Sequence, residues 1–412
     1  MYEIKSNLDS KLSLLAVEGK HVAMLTRWFS PDGGLELYTY RLVERLLERG
    51  LKVTVVCEES HSDFEHENLR VVDYGAPFKK ISKGDRYRYA FRKTREVMDR
   101  LEDIDLVHSQ QLPSSRHDLV TFHNHTVNRL TNTGRSFERV VNQAKTSFTD
   151  RYQTKMLFDR RLCLESKCRI FVSSIEQEEY YREFKLGGEA PYVIAYPGAT
   201  ASGASRTGTS AESLVGSAES QSGMVEYERV ERFPFLFVGK GYRMKGLDIL
   251  FKACRLLKSW GKDFVLNVAG LEKKPILRAA LLRYKIDDCV SFKGYVSDME
   301  SVFNQSYVIV TPSRLESFGM APLQAMRHGL VPLVSRVSGI SEIIDNGVDG
   351  LILEDHLDHR ELATQMRRLI EDEELLKTCS NQAKRKAEMF TWDRTADATI
   401  FAYQNVLSIL RT

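Results

Sequence analysis

HVAMLTRWFSPDGGLELYTYRLVERLLERGLKVTVV, residues 21–56, decides the fold class. His21 to Leu25 reads as a strand, and Pro31-Asp32-Gly33-Gly34 as a tight turn. Leu35, Leu42, Val43, Leu46 and Leu47 then recur at helical spacing, and Gly50 stands where a helix ends. Lys52 to Val56 supplies a second strand. Strand, helix and strand in this order are the unit of a parallel α/β sheet with helices on its faces.

The same alternation extends outward. Asp105 to Val107, Leu119 to Phe122, Arg169 to Ser173 and Tyr192 to Ala195 read as further strands of the first sheet. Between 199 and 223 the pattern stops: Ala, Ser, Thr and Gly fill 19 of these 25 positions, a composition with too little apolar surface to offset ordering. A second βα series starts at Phe233 to Val238 and continues through Phe264 to Val268, Val290 to Phe292, Tyr307 to Val310 and Val331 to Val334. The expected organisation is an α/β, Rossmann-like domain over 1–198, a flexible linker over 199–228, a second Rossmann-like domain over 229–391 and a final helix over 392–412. The crevice between two such domains is the expected ligand site.

Composition narrows the function. The 412 residues carry 59 Lys and Arg against 56 Asp and Glu, a net +3, which argues against a nucleic-acid binder relying on a basic field. No run approaches a membrane span, and the first residues carry acids without a long apolar core, so neither an anchor nor a secretory signal is expected. Six scattered cysteines without a C-x-x-C pair read as reduced thiols of a soluble, cytoplasmic protein. Two stretches of the first domain are basic. Residues 78–100 carry nine Lys and Arg against three acids, and 127–161 eight against three. They read first as solvated helix faces. The sharper alternative is docking on anionic lipid or an anionic acceptor, aided by Tyr87, Tyr89, Phe91, Phe137, Phe148 and Phe158, with a peripheral station at the inner membrane face.

The stretch richest in chemistry is TPSRLESFGMAPLQAMRHGLVPLVSRVSGISEII, residues 311–344. A strand ends at Thr311, a loop carries Glu316-Ser317-Phe318-Gly319, and Pro322 suits the first turn of a helix reaching about Arg327. A helix N-terminus at the C-terminal edge of a strand offers free amides and a positive dipole end, a natural seat for phosphate. Glu316 and Gln324 could frame a hydroxyl-rich ligand beside it. His123 and His125 form H-x-H, but no nearby third ligand completes a metal site. Asp103-Ile104-Asp105 reads as punctuation between helix and strand, not as a metal-binding D-x-D.

This pattern, an E-x7-E loop followed by a helix, a strand and a G-x-x-E-I turn, resembles the retaining glycosyltransferases of family 4, over nearly the whole chain. The residues 238–246, VGKGYRMKG, resemble the family's donor loop, and Pro31 to Gly34 its N-terminal glycine loop. Val290 to Tyr295 resemble the turn that meets the nucleotide base, and Phe390-Thr391-Trp392 the start of the last helix. The donor-loop spacing and the basic stretch after His125 look closest to the lipopolysaccharide core glucosyltransferase branch.

The resemblance implies a GT-B fold, two Rossmann-like domains whose parallel sheets face across a cleft. It implies a metal-independent transfer of sugar from a nucleotide-sugar, a UDP-hexose or UDP-N-acetylhexosamine, to a hydroxyl of a glycan, lipid-linked or small-molecule acceptor, without cofactor or nucleic acid. Glu316 would accept from sugar hydroxyls. Amides of Phe318, Gly319, Met320 and Ala321, with Ser317 beside them, would hold sugar and distal phosphate. Lys245, with Lys240 or Arg243, would neutralise the leaving diphosphate, and Gly33 and Gly34 would let the backbone approach it. Tyr295 would sit at the base, and His123 near the reaction centre. Two departures stand out. The second glutamate of E-x7-E is Gln324, implying altered ribose binding, and Lys240 holds the place of the donor-loop arginine, with Arg243 three residues on. Two other readings compete: a non-catalytic sugar-nucleotide-binding module and a sugar-nucleotide epimerase.

Overall fold

The computed structural model describes residues 17–133, 149–187, 191–200 and 231–411. The expected linker beyond Thr200, together with Phe137 and Phe148, lies outside them. The chain divides into two compact units, one of residues 1–198 and 391–412, the other of residues 199–390.

Unit 1 is built on β1 (His21–Leu25), β2 (Lys52–Cys57), β3 (Leu69–Asp73), β4 (Leu106–Ser109), β5 (Leu119–Phe122), β6 (Cys168–Phe171) and β7 (Tyr192–Ile194). These seven strands are parallel in the order β3-β2-β1-β4-β5-β6-β7. Chain order reverses between β1 and β4, so the loops after these strands part and leave a crevice at the sheet's C-terminal edge. Helix α1 (Leu35–Glu48) buries Tyr38, Thr39, Leu42, Val43, Leu46 and Leu47 along one stripe. Gly50, at φ +76°, turns the chain into β2. Helix α2 (Lys83–Met98) follows β3.

Unit 2 repeats the plan with β8 (Phe233–Val238), β9 (Phe264–Ala269), β10 (Val290–Gly294), β11 (Val308–Thr311), β12 (Val331–Ser335) and β13 (Leu351–Leu353). Their order is β10-β9-β8-β11-β12-β13, all parallel, with the reversal between β8 and β11. Helices α3 (Leu247–Ser259) and α4 (Met320–Arg327) start from the loops on either side of that reversal. Phe235, Phe237, Leu250, Phe251, Leu266 and Val310 are among the fully buried residues of one continuous core.

The last helix, α5 (Trp392–Arg411), belongs to unit 1. The Thr395 hydroxyl donates to Tyr196 O at 2.7 Å, and Arg49 pairs with Asp393 and Asp397 at 3.1 and 2.8 Å.

Several expected elements differ in detail. β3 and β13 go unread from the sequence, as does the two-residue pairing of Trp28–Phe29 with Glu59–Ser60. Ser173, read as the end of a strand, instead caps the helix Ser174–Phe184, its side chain accepting from the Glu176 amide. Three aromatics of the basic stretches pack together: Phe158 is buried, with the Phe91 and Tyr87 rings 5.4 and 6.4 Å away, while Tyr89 meets Tyr74. All six cysteines are free and buried. Among the described residues, no helix is long and apolar enough to cross a membrane.

Candidate functional site

In unit 2 the loops after β8 and β11 meet at the strand-order reversal. Past Val238 the chain runs through Gly239-Lys240-Gly241, and the Lys245 amide donates back to Gly241 O. Gly246, at φ +75°, then turns directly into α3. Only glycine fits there, because a Cβ would lie 1.9 Å from Pro312 O at the end of β11. This close approach brings Lys245 to Glu316. The ammonium donates to Glu316 Oε2, the same oxygen that the Ser313 hydroxyl reaches at 3.4 Å. The side chains remain 30% and 16% exposed, so a ligand can reach the pair.

The loop carrying Glu316 is held from both sides. Gly339 N–H donates to Glu316 O at 3.2 Å, and Ile340 N–H to Phe318 O at 2.7 Å, joining it to the turn Gly339–Glu342. Arg314 makes a two-pronged pair with Asp248 of α3 at 2.6 and 2.7 Å, and also donates to Arg243 O. That fork ties the two loops together; a bidentate guanidinium–carboxylate pair fixes geometry as well as charge. Gly319, at φ +112°, opens α4, so the Met320 and Ala321 amides lie in the first turn, where helix N–H groups have no acceptor within the helix. Ser317 lies in the loop before it, and the Phe318 side chain is buried.

The remaining expected donor residues are more dispersed. Lys240 and Arg243 are both exposed, on the loop of which Lys245 is the inward member. Tyr295, 68% exposed, follows β10. Gln324 is already engaged: its amide accepts from Thr200 N–H at 2.9 Å and donates to Thr200 O at 3.1 Å. Glutamine can make both bonds, whereas a glutamate could only accept.

In unit 1, Gly33, at φ +111°, and Gly34 lead into α1. The Glu36 carboxylate folds back onto this turn and accepts from Gly34 N–H at 3.2 Å. His123 stands just past β5. Its Nε2 meets Gln110 Oε1 at 2.7 Å, its main-chain N–H donates to Gln111 Oε1 at 3.0 Å, and the Tyr38 ring stands edge-on, 4.7 Å between centroids. Since the amide oxygen can only accept, Nε2 carries the proton. Gln110 leads on to His108 Nε2 at 3.2 Å, where the Thr121 hydroxyl also arrives at 2.6 Å. His108 Nδ1–H donates to Tyr403 OH at 2.8 Å. Burial pushes both imidazoles down to about 3, keeping them neutral.

His125 goes elsewhere, pairing with Glu179 at 2.8 Å. Among the described residues, no group of three or more His, Cys, Asp or Glu side chains is placed to hold a metal. Sequence reading misses Arg314, Asp248, Gln110 and His108: Arg314 and Asp248 meet across 66 residues, and His108 and Gln110 join His123 to Tyr403, 280 positions further on, none of which a local motif announces.

Two family models match the chain, Glycosyltransferase Family 4 over residues 32–198 and Glycosyl transferases group 1 over residues 226–386. A D-inositol 3-phosphate glycosyltransferase from Saccharomonospora viridis is 23% identical over 432 aligned positions, covering 96% of this chain and 95% of its own. WaaG, a glycosyltransferase involved in lipopolysaccharide biosynthesis, superposes with a TM-score of 0.71 at 18% identity, covering 92% of this chain and 99% of its own. Anabaena Alr3699/HepE, solved in complex with UDP and glucose, gives 0.63 at 15% identity, covering 93% and 98%.

Proposed function

Because the chain belongs to the family 4 glycosyltransferases, enzymes of GT-B fold, we propose that it transfers a sugar from a UDP-sugar to an acceptor hydroxyl, with retention and without a metal. The observation that carries this reading is the Lys245–Glu316 pair, set between the two loops at the strand-order reversal of unit 2. The UDP bound to Alr3699/HepE supports the choice of nucleotide. Lys245 would turn to the diphosphate as it leaves, while Glu316, released from the ammonium, would accept from sugar hydroxyls. The Met320 and Ala321 amides would add donors toward the distal phosphate, and Lys240 or Arg243 a second positive charge.

The transition state puts negative charge on the leaving oxygen, and a fixed cation aimed there contributes several kcal/mol. Retention follows if the acceptor attacks from the face the diphosphate leaves, with that phosphate taking the acceptor proton. No carboxylate pair opposite Glu316 is then needed. From unit 1, His123 is proposed to act as a neutral hydrogen-bonding group toward the donor sugar, and the Gly33-Gly34 turn to give backbone access to phosphate.

The test has three parts: UDP-induced thermal stabilisation with and without EDTA, anomeric configuration of the product by NMR, and turnover of two variants. UDP should stabilise the chain equally in both conditions. Lys245→Ala should lower kcat/KM by about a hundredfold or more, about 2.7 kcal/mol. Glu316→Gln should bring a comparable loss with the fold intact. Full transfer by either variant would overturn the assignment, and UDP binding without turnover on any acceptor would favour a binding module.

A further inference from the structure

At the C-terminal edge of unit 1, on the β3-β2-β1 half of the sheet, lies a charged cluster that the donor chemistry does not use. Glu58, immediately after β2, is fully buried, and two arginines converge on it. Arg27, just past β1, approaches Oε2 with its Nε at 3.4 Å, and Arg86, in the first turn of α2, donates to Oε1 at 2.6 Å. Main-chain bonds hold these strand ends in register: Glu58 N–H to Arg27 O at 2.8 Å and Tyr74 N–H to Cys57 O at 2.9 Å. The Arg27 guanidinium also lies over the Trp28 ring, 4.0 Å from its centroid.

Two features set this cluster apart from a structural ion pair. First, its charges do not balance, since two guanidiniums face one carboxylate. Both arginines remain over one-third exposed, 37% and 38%, although their Nε atoms are buried. Second, three buried donors of this stretch lack a hydrogen bond, Trp28 Nε1, Tyr74 OH and Arg86 Nε, while Arg27 Nε and Glu58 Oε2 answer each other as an ion pair at 3.4 Å. Buried polar groups are nearly always satisfied, so such a concentration marks a place that a ligand or water completes. All three can donate, and an acceptor-rich group is what they would take. The nearby acids are otherwise placed: Asp73 accepts from Ser60 and Gly75 amides, and Glu59 stands at the surface. Lys79 and Lys80, before α2, and Lys83, its first residue, are exposed and add positive charge.

We propose that Arg27 and Arg86, set on the buried Glu58, form an anion fork that receives a phosphate monoester carried by the acceptor. The proposal rests on the glycosyltransferase reading and deepens its acceptor side. A phosphate monoester presents three acceptor oxygens and close to two negative charges, matching two guanidiniums that approach from different elements, the end of β1 and the first turn of α2. A neutral sugar would leave the surplus charge unanswered. Glu58 acts as a positioning residue, holding both forks at the sheet edge. The phosphate can belong to a soluble sugar phosphate or to a phosphorylated lipid carrier.

The experiment is calorimetric titration of the full chain with UDP saturating, so that the diphosphate seat is filled. The probes are myo-inositol against D-inositol 3-phosphate, and farnesol against farnesyl phosphate in detergent micelles. At least one phosphorylated probe should bind tenfold or more tightly than its hydroxyl parent, and which pair does so identifies the source. Arg27→Lys and Arg86→Lys keep a positive charge against Glu58 and so keep the fold. They should each lose most of that preference while leaving UDP affinity unchanged. Equal binding of phosphorylated and neutral probes by the unmodified chain overturns the proposal, as does a preference that survives both lysine variants. Phosphate preference in a chain that binds no UDP would instead overturn the donor reading and leave the fork standing.

Discussion

His108 and His123 show how the setting of single residues shapes pH behaviour. Both are joined through Gln110 and held neutral by burial, with values near 3 against an ordinary 6.5. As pH falls, the unfolded chain takes up these protons first, so unfolding gains ground. The contribution is complete above about pH 6.5 and is lost as pH drops toward 3. Denaturant midpoints should therefore fall steadily from pH 7 to pH 5, with a linkage slope that includes both histidines. His123→Asn should make that slope shallower by up to one proton, and an unchanged slope would show that the imidazole is not held neutral. The same neutrality predicts no imidazole inflection in kcat between pH 5 and 8. A general base titrating near 6.5 would put one there.

Among the elements, the loop from β8 to α3 depends on glycine more than on charge. Gly246 combines φ +75° with a Pro312 carbonyl where its Cβ would stand. Gly246→Ala should cost about 3 kcal/mol, from left-handed backbone strain and a contact that only backbone movement relieves. It should also weaken UDP binding, because the displaced loop carries Lys245 away from Glu316. A urea titration and a nucleotide-binding isotherm on the same variant would separate the two effects. This loop was legible in the sequence because its chemistry is local: glycines at fixed spacing after an apolar strand, and lysines flanking them. β1 and β8 were legible for the same reason, each a continuous apolar run ended by turn residues. β3 was not. Its pattern of half-buried and exposed positions at the sheet margin carries no apolar run, and β13 is only three residues long. The site was legible in its motifs and opaque in its supports. Arg314 and Asp248 stand 66 residues apart, Gln324 and Thr200 124 apart, and no local pattern announces either pairing.

For the molecule as a whole, unit 1 is discontinuous in the chain: it needs α5, which follows all of unit 2. Trp392, Ala396, Ile400, Tyr403, Val406 and Leu407 of α5 are buried, and Tyr403 also satisfies His108 at the centre of the sheet. Burying a large apolar side chain contributes about 1.5–3 kcal/mol, so losing five of them rivals the 5–15 kcal/mol that holds a typical domain. Ending the chain at Phe390 should therefore unfold unit 1. Unit 2 loses none of its own strands by this cut, and Lys245, Glu316, Arg314 and Asp248 all remain. Hydrogen exchange on the shortened chain should show amides of β1, β4 and β5 unprotected and those of β8, β9 and β11 slow, with UDP still slowing exchange around Glu316. Transfer should be abolished, since the roles proposed for His123 and for the Arg27–Arg86 fork go with unit 1. Slow exchange throughout β1 and β4 would mean that the first sheet stands without its returning helix. Loss of protection in both units together would mean that the two fold as one cooperative body.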